Sequence, residues 1–586
     1  MKKLTVLVYQ KNLSQALCEL RKTGLVHIKH IQKPHAGGID SLENKINLLD
    51  QAASLMDALV DQRKDVPVIV LTSVVKEVIG FNQQTQQCLG RLKELEERLE
   101  LVKKLGHASV NDLDKLKGVG AFVKLYRCNS RALKRIPKDK MIQIIFRKGR
   151  EVYIAFIGTK DDDCLDFLEV GIPQESQQSL ERKIHGLKRD LGSVEKQLRE
   201  FSTYRSCLKI YRKELLKRLE LGHVRFGAGF KEGIYYLQGF CPKQSVEAVE
   251  LAAAKNGWAV MVQEPEDPQE VPTLIKNPRW IGIVKPIFKF MGTVPGYDEF
   301  DISFWFLLSF SLFFAMLIGD AGYGFLFLTV SFFLSRKFRS LPREPFVLAY
   351  VLSAATIVWG AVTGTWFGVE KIGQLPGFNY LVINRINSFV GSNHNFMMYL
   401  CLFIGVGHLS IAHLKRAFAF INSLKALAQV GWIFILWAIF FLAGTYILNK
   451  PFPASGPLLL TVGLGLVILF SNPQKNFFKG VLVSLADLPL SIISSFSDIV
   501  SYLRLFAVGY ATVVVASSFN NMALSGGINN PLAALAAAII LVLGHSLNIL
   551  LGFMAVIVHG VRLNMLEFSG HLGMQWSGKE YKPFRE

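Results

Sequence analysis

The chain has 586 residues, of which 51% are hydrophobic and only 19% are charged, and its mean hydropathy is +0.30. Ordinary soluble domains carry about 25% charged residues, so this composition excludes a chain built only of soluble domains. The net charge of +20 does not indicate nucleic-acid binding, because the basic residues alternate with glutamates or border apolar runs. Charges are dense before residue 290 and long apolar runs follow residue 300, which predicts a soluble half followed by a membrane half.

The soluble half reads as alternating strands and amphipathic helices. Strands are predicted at 4–9, 26–31, 121–126, 142–146, 152–157, 234–240 and 258–263. Helices are predicted at 13–23, 41–59, 83–105 and 175–221, and from residue 245 onward. The run RLKELEERLELVKKL has the pattern of a solvated coiled-coil arm. We therefore predict a cytoplasmic domain over 1–265, made of two α+β lobes joined by long antiparallel coiled-coil helices, and a linker over 266–299.

The second half is expected to cross the membrane. A span needs about 20 apolar residues to cross roughly 30 Å of hydrocarbon. The first apolar run, 302–334, is too long for one span and is interrupted by GDAGYG at 319–324, which predicts two spans. Further spans are predicted at 346–367, 396–412, 430–448, 458–470, 481–519 and 531–568. The fold class is thus an all-α transmembrane domain of about eight helices over 300–570, the last two long and tilted, with a cytoplasmic tail over 571–586.

Basic residues between the spans predict the orientation. With eight spans, the loops at 335–345, 414–427 and 471–480 and the C-terminal tail lie on the same side as the N-terminus, and they hold most of the basic residues between spans. The positive-inside rule places this side in the cytoplasm. The opening MKKLTVLVYQKN has too short an apolar run for a signal peptide. Seven cysteines without a CxxC pair fit a reducing compartment and indicate neither a disulfide framework nor a zinc site.

One arginine lies near the middle of the seventh predicted span. An arginine at this depth costs about 2.5–3.5 kcal/mol on insertion scales, so its presence needs a reason. Arg504 shares a helical face with Ser501, and Asp498 lies beside that face but too far round for a direct pair. An ion pathway is one interpretation. An arginine that reaches the interface or pairs with a neighbouring helix is the structural alternative.

The last predicted span carries a polar stripe. The residues His545, Asn548, Gly552, Ala555, His559 and Arg562 follow one another at intervals of three or four, and Glu567 comes about one turn later. Ionisable groups inside membrane spans commonly line ion or proton pathways, so we place His545 and Asn548 in such a pathway together with Asp498 and Ser501. Asp320 in GDAGYG is a further pathway candidate, although it could equally be a helix-boundary residue.

Three segments carry a resemblance to a known family. They are MLIGDAGYGFLF (316–327), SYLRLFAVGYA (501–511) and VLGHSLNILLGFMAVIVHGVRLNMLEF (542–568). Together they resemble the membrane stator subunit of rotary V-type and A-type ATPases, which is subunit a in eukaryotes and subunit I in prokaryotes, and the resemblance extends over nearly the whole chain. It implies that Arg504 faces the carboxylate of the rotating ring, that Arg562 is the second arginine, and that His559 and Glu567 flank them.

Two departures from the eukaryotic pattern suggest the prokaryotic branch. Gly552 stands where some eukaryotic relatives have a carboxylate, and Thr512 where they have a histidine. The resemblance therefore implies a multi-pass protein of a bacterial or archaeal cell membrane. Whether the ion is H⁺ or Na⁺, and whether the complex synthesises or hydrolyses ATP, is left open by the sequence.

The family resemblance also implies a function and partners. The chain would form aqueous ion half-channels against the rotor ring of proteolipid subunits, anchor the peripheral stalks, and couple ion flow to ATP hydrolysis or synthesis. The central-stalk and catalytic subunits would be indirect partners, and the lipid bilayer a direct one. No cofactor is expected in this chain, since the phosphate-loop spacing at 573–579 lacks a preceding strand and is followed by Glu580 instead of Ser or Thr.

Two other classes of protein are alternatives. A stand-alone secondary ion transporter with a regulatory coiled-coil domain should have repeated halves and helix breaks at the membrane midplane. The sequence has no convincing half-repeat, and the last two spans are expected to be continuous and free of a mid-span proline. A membrane-anchored coiled-coil scaffold would have no need for the charged residues in the last two spans.

Overall fold

A computed structural model gives the architecture and describes residues 1–33, 37–56, 67–105, 115–116, 118–129, 140–148, 151–158, 165, 167–170, 177–339, 341–473, 477–525, 527 and 530–585. Its strands are β1 (Lys2–Tyr9), β2 (His27–Lys29), β3 (Phe122–Asn129), β4 (Met141–Lys148), β5 (Glu151–Gly158), β6 (Leu168–Glu169), β7 (Gly229–Lys231), β8 (Ile234–Cys241), β9 (Ala259–Gln263), β10 (Pro272–Thr273) and β11 (Lys579–Glu580). The helices before the membrane half are α1 (Leu13–Thr23), α2 (Gly37–Leu55), α3 (Val68–Leu105), α4 (Gln177–Phe201), α5 (Arg205–Gly227), α6 (Val246–Asn256) and α7 (Lys285–Met291).

The first lobe is assembled from both ends of the soluble half, and we call it the proximal lobe. Its sheet has the strand order β2-β8-β1-β9, with β7 added to β8, and every pairing is antiparallel. Leu4, Val6 and Val8 alternate along β1 and are buried, as expected for a strand with one covered face. Gly24 ends α1 with φ of 59°, a left-handed conformation that glycine adopts without strain.

The second lobe is an antiparallel sheet with the strand order β4-β5-β3-β6. Two helical arms separate it from the proximal lobe. The chain leaves along α2 and α3 and returns along α4 and α5, so that α3 packs on α4 and α2 packs on α5. Ion pairs such as Lys188–Glu96 at 2.9 Å join the arms, and Leu71, Val78 and Leu208 are buried between them.

The arms differ from the sequence prediction at three points. Helix α3 begins at Val68, well before residue 83, because Leu71, Val74 and Val78 form an apolar face that is buried against α5. The long helix predicted at 175–221 is divided by a 3₁₀ turn at Ser202–Tyr204. Residues 57–59 of the helix predicted at 41–59 lie outside the described part of the chain.

The described part of the membrane half consists of helices joined by loops. Its helices are α8 (Ser303–Ile318), α9 (Ala321–Lys337), α10 (Glu344–Thr363), a short turn at Glu370–Gly373, α11 (His394–Ala419), α12 (Lys425–Leu448), α13 (Ser455–Phe470), α14 (Phe477–Ser501), α15 (Leu503–Leu524), α16 (Pro531–Ala555) and α17 (Ser569–Leu572). Between α16 and α17 the chain forms two π-helical segments, Val556–Gly560 and Leu563–Phe568.

Five membrane-capable helices are found in the described ranges, or six if one bent pair counts as a single span. The bent pair is α8 and α9, which meet at an angle of 119° at Gly319 and Asp320, where the sequence predicted the interruption. The helix α13 is apolar but has only 16 residues. The count of eight predicted from the sequence therefore depends on α8, α9 and α13, which are each 16 or 17 residues long.

The last two long helices are less regular than predicted. Pro489 lies inside α14, so the expected absence of proline from this span is wrong. A turn at Tyr502 separates α14 from α15 within one apolar stretch of 47 residues. The following span ends in π-helical turns, which shift the later side chains around the helix axis relative to an α-helical stripe.

Helix α8 lies at the centre of the membrane half. Phe306, Phe313 and Leu317 are fully buried there. Helix α15 approaches α8 so closely that a Cβ atom on Gly509 would lie 2.2 Å from the carbonyl oxygen of Met316. This contact fixes the helix that carries Arg504 against the central helix.

The C-terminal tail returns to the proximal lobe. Strand β11 pairs in parallel with β10 of the linker, and Tyr581 N–H donates to the carbonyl of Thr273 at 3.1 Å. Phe584 is inserted into the hydrophobic core of the proximal lobe, where its N–H donates to the carbonyl of Val26 at 2.9 Å. The last membrane helix therefore ends on the same side of the helix bundle as the proximal lobe.

Candidate functional site

The centre of the site is a buried ion pair between two helices. Arg504, in the first turn of α15, donates from Nη2 to Oε1 of Glu567 at 2.7 Å and from Nε to the carbonyl of Ser501 at 2.9 Å. The Glu567 side chain is 3% exposed and that of Arg504 is 25% exposed. Arg504 is thus held by one carboxylate and one backbone carbonyl, while part of its side chain remains at the surface.

A second arginine shares the same carboxylate. Arg562 Nε lies 3.4 Å from Oε1 of Glu567, and its side chain is 53% exposed. Because two guanidinium groups converge on one oxygen, their attraction compensates for the removal of Glu567 from water. The other oxygen, Oε2, is buried and has no hydrogen-bond partner among the described residues, and the same is true of Nδ1 of His559.

The π-helical turns bring Arg562 and Glu567 together. Glu567 follows Arg562 by five residues. In an α-helix, side chains five positions apart lie on different faces, whereas the hydrogen bonds of a π-helix connect residues five positions apart and bring them to the same face. Asn564 is fully buried within this segment, and its Oδ1 accepts a hydrogen bond from Ser309 of α8. The side chain of Asn564 thus fastens the irregular segment to the central helix.

A second polar cluster lies further along α15 and α16. His545 Nδ1 is 2.6 Å from the Tyr323 hydroxyl, and its Nε2 is 3.0 Å from Oδ1 of Asn520. Asn548 donates from Nδ2 to the Tyr323 hydroxyl at 3.0 Å and to the carbonyl of Thr512 at 2.9 Å. His545 and Asn548 are therefore in one hydrogen-bonded network, which we call the Tyr323 cluster, and neither of them contacts Arg504.

Asp498 belongs to a third group of side chains. Its Oδ2 lies 3.1 Å from Nε2 of His571 in α17, and the pair is partly buried. It forms no ion pair with Arg504, in agreement with their positions on the helix. Ser501 takes part through its backbone carbonyl, which binds Arg504, while its hydroxyl donates to the carbonyl of Ser497 at 2.8 Å.

Asp320 is located at the start of α9. Its carboxylate accepts from the backbone N–H groups of Gly322, Tyr323, Phe367 and Gly368 at 2.8–3.2 Å. An N-cap aspartate of this kind satisfies the first free N–H groups of a helix and, here, also holds the loop after α10. This geometry favours the helix-boundary interpretation of Asp320 over a pathway role.

Three side chains that bind the predicted pathway residues His545, Asn548 and Asp498 were not anticipated from the sequence: Tyr323, Asn520 and His571. Tyr323 and Asn520 are ordinary residues of apolar helices, so only their hydrogen bonds to His545 distinguish them. His571 follows Glu567 by four residues, and that spacing could have attached it to the polar stripe. The domain boundary expected at residue 570 separated it from the stripe, whereas the helical turn extends to Leu572.

The chain as a whole is similar to known proteins. No family model matches the chain. It is 31% identical to V-type ATP synthase subunit I of Borreliella burgdorferi, with 100% of this chain and 99% of that protein aligned. It is 27% identical to V-type ATP synthase subunit I 1 of Treponema pallidum over 100% and 99% of the two chains, and 24% identical to A-type ATP synthase subunit I of Methanocaldococcus jannaschii over 76% and 70%. The chain therefore belongs to the family of V-type and A-type ATP synthase subunit I proteins.

Proposed function

We propose that the chain is the membrane stator of a rotary ATPase and that it conducts ions between two half-channels and a rotating ring. The observation that carries the proposal is the position of Arg504 between two separate polar networks. Along the helices, Thr512 of the Tyr323 cluster is eight residues, or about 12 Å, beyond Arg504, and Asp498 is six residues, or about 9 Å, before it. The only side chain that binds Arg504 among the described residues is Glu567.

The surface next to Arg504 suits a helical partner in the membrane. An exposed face of α14 leads to Arg504 and is formed by Leu490, Ile493, Ser494 and Ser497, at intervals of one or three residues. Exposed leucines and isoleucines continue on α16. A ring of apolar helices that carry one carboxylate each could pass over this face with its carboxylate level with Arg504.

The proposed role of Arg504 follows from electrostatics. A ring carboxylate surrounded by lipid keeps its ion, because the charged form is poorly solvated there. Opposite Arg504 the anionic form is stabilised, and the ion leaves into the adjacent half-channel. The fixed positive charge also prevents a bound cation from passing directly between the two half-channels. A gradient supplies about 2.3 kcal/mol per elementary charge per 100 mV, so several ions must be transferred per ATP.

The remaining parts of the proposal concern topology and anchoring. We propose eight spans, with α8, α9 and α13 crossing as shorter helices, and a cytoplasmic location for residues 1–265, the linker 266–299 and the tail. The Tyr323 cluster then lies toward the outer side and Asp498 toward the cytoplasm. The two lobes and their helical arms would bind peripheral stalks and resist torque. The ring and the stalks are direct partners in this proposal, and the catalytic subunits are indirect ones.

The test is ATP-driven ion uptake into membrane vesicles that contain the assembled complex. Arg504→Ala should reduce uptake more than tenfold in a complex that still assembles, while Arg343→Ala, which removes an exposed arginine before α10, should leave uptake unchanged. Undiminished coupled uptake by Arg504→Ala would refute the proposal. Ion uptake by the purified chain alone, without the other subunits, would instead favour the stand-alone transporter.

A further inference from the structure

Four side chains from four helices form a continuous hydrogen-bonded chain in the membrane half. Asp498 Oδ2 is 3.1 Å from Nε2 of His571, and Nδ1 of His571 is 2.9 Å from Nε2 of His413. Nδ1 of His413 is in turn 2.8 Å from Oε1 of Gln429. These residues belong to α14, α17, α11 and α12, and we call them the His571 relay. Both ring nitrogens of each histidine are engaged within it.

The His571 relay extends from the Arg504 side of the bundle toward the end that faces the proximal lobe. Asp498 is the partly exposed member, beside the open face of α14. His413 and Gln429 are buried. Gln429 is four residues, or about 6 Å, from the start of α12, and the loop that precedes α12 lies at the end where the C-terminal tail leaves the bundle. The relay therefore bridges the protein interior at the cytoplasmic end of the proposed pathway.

The neighbouring groups fix the rings without interrupting the chain. The ring of Trp432 stacks on His413 with a centroid distance of 6.0 Å and an interplanar angle of 15°. His408, one turn earlier, bonds instead to the Tyr502 hydroxyl at 2.8 Å and stacks on Phe568. A charged group, the Arg416 guanidinium, also lies nearby, beside Gly573.

The His571 relay has two arrangements in which every hydrogen bond has one donor and one acceptor, and the two arrangements differ by one proton. If the amide oxygen of Gln429 faces His413, then Nδ1–H of His413 donates to it and Nε2 must accept from Nδ1–H of His571. A further proton then lies between Nε2 of His571 and Asp498. If the amide NH₂ faces His413 instead, every bond reverses, each histidine is neutral, and Asp498 is a carboxylate that accepts from His571.

We propose that the His571 relay carries protons between Asp498 and the cytoplasmic end of the helix bundle. The inference rests on the proposed stator function. In the release step the shared proton settles on Nε2 of His571, the proton on Nδ1 of His571 moves to Nε2 of His413, and the proton on Nδ1 of His413 leaves at the Gln429 end as the amide turns. This step converts the first state into the second. A proton that binds at Asp498, together with the return of both rings to the Nδ1–H form, restores the first state. One proton enters and one leaves, so the transfer is balanced.

The experiment measures ATP-driven acidification and ATP-driven ²²Na⁺ uptake in vesicles that hold the assembled complex. The wild type should acidify the vesicles in the absence of Na⁺. His571→Gln keeps a donor and an acceptor but cannot take up a proton, so proton uptake should fall at least tenfold in an assembled complex. The matched control His185→Gln, at an exposed position of α4, should behave as the wild type.

Chemical rescue separates proton transfer from a structural role. In His571→Ala, added imidazole should restore part of the proton uptake, whereas 1-methylimidazole, which fills the same space but has one exchangeable nitrogen, should not. Rescue by both compounds, or normal uptake in His571→Gln, would overturn the relay. If the His571→Gln complex does not assemble, His413→Gln is tested instead, and its proton uptake should likewise fall at least tenfold in an assembled complex.

The outcomes distinguish the relay from the stator proposal. Loss of uptake in Arg504→Ala together with normal uptake in His571→Gln refutes the relay and leaves the stator function intact. Normal uptake in Arg504→Ala refutes the stator function itself. Accumulation of ²²Na⁺ by the wild type without acidification refutes the proton assignment, and this result requires no variant.

Discussion

Removal of the Phe584 ring should release the C-terminal tail from the proximal lobe. Phe584 is 3% exposed and lies in the core of that lobe, below the guanidinium of Arg21 at 5.4 Å. Truncation of a buried phenylalanine to alanine costs about 3–5 kcal/mol. The hydrogen bonds of Tyr581, Lys582 and Arg585 to the rest of the protein remain in the variant, so the cost should appear as a shift of the docking equilibrium. Each change of about 1.4 kcal/mol alters an equilibrium constant by a factor of ten. The equilibrium constant for undocking should therefore rise by a factor between about one hundred and a few thousand.

Hydrogen–deuterium exchange at the tail measures this equilibrium directly. The amides of Tyr581 and Phe584 are protected by the carbonyls of Thr273 and Val26 in the docked state. In Phe584→Ala they should exchange faster by the stated factor, while amides in α8 should be unaffected. This local change is expected because segments can open without global unfolding.

A matched control tests whether burial is the cause. Phe230→Ala removes the same side chain from the same lobe, but Phe230 is 50% exposed, so tail exchange should change less than about threefold. The reasoning would be refuted by equal exchange in the two variants, or by unchanged protection of Tyr581 and Phe584 in Phe584→Ala.

Three further predictions concern the tail and the helix contacts. Burial lowers the pKa of His27 from its ordinary value of 6.5, and this effect outweighs the hydrogen bond that Nδ1 can donate to the carbonyl of Lys582 at 2.9 Å. In the neutral ring Nδ1 can instead accept from the N–H of Lys582 at 3.0 Å, so the docked tail favours the neutral ring. Docking should be fully stabilised above about pH 6.5 and should weaken as the pH falls below this value. Hydrogen exchange of the Lys582 amide, corrected for the intrinsic exchange rate at each pH, measures the docking equilibrium. A docking equilibrium that does not change with pH would contradict this prediction. Gly509→Ala should destabilise the chain by about 1–3 kcal/mol in thermal unfolding, because the new Cβ atom would lie 2.2 Å from a carbonyl oxygen. The control Gly465→Ala has open space around its Cβ position and should not change the stability, so equal melting temperatures of the two variants would contradict the close contact. Asp320→Asn should destabilise the α8–α9 junction by about 1–3 kcal/mol, but a complex that still assembles should transport ions normally. A loss of ion transport without a loss of stability would instead support a pathway role for Asp320.

The sequence determined much of the local structure. The proximal lobe has strands and helices within a few residues of the predicted positions, because period-two and period-3.6 patterns and Gly24 act locally. The interruption of the first apolar run at GDAGYG was also predictable, since glycine and an N-capping aspartate end one helix and begin another. The unusual positions of Arg504 and Glu567 were visible too, because charges inside apolar spans are rare whatever their partners.

The α-helical stripe predicted for the last span was only partly informative. It assumed 3.6 residues per turn to the end of the helix. The chain changes to π-helical turns at Val556–Gly560 and Leu563–Phe568, which moves Glu567 onto the arginines. A single sequence gives no signal of this change, because packing around Asn564 and Ser309 stabilises it.

Only the tertiary structure decided which polar groups meet. Glu567 is 63 residues from Arg504 and His571 is 73 residues from Asp498 along the chain. The Tyr581 hydroxyl donates to the carbonyl of Leu25, 556 residues away, and no periodicity connects positions at such distances. The sequence by itself therefore determined where helices, strands and costly charges lie, since these depend on neighbouring residues and on the surrounding solvent. The pairing of Arg504 with Glu567, the His571 relay and the docking of Phe584 were decided by packing, because buried polar groups and exposed rings gain stability only from the partners that the whole fold brings to them.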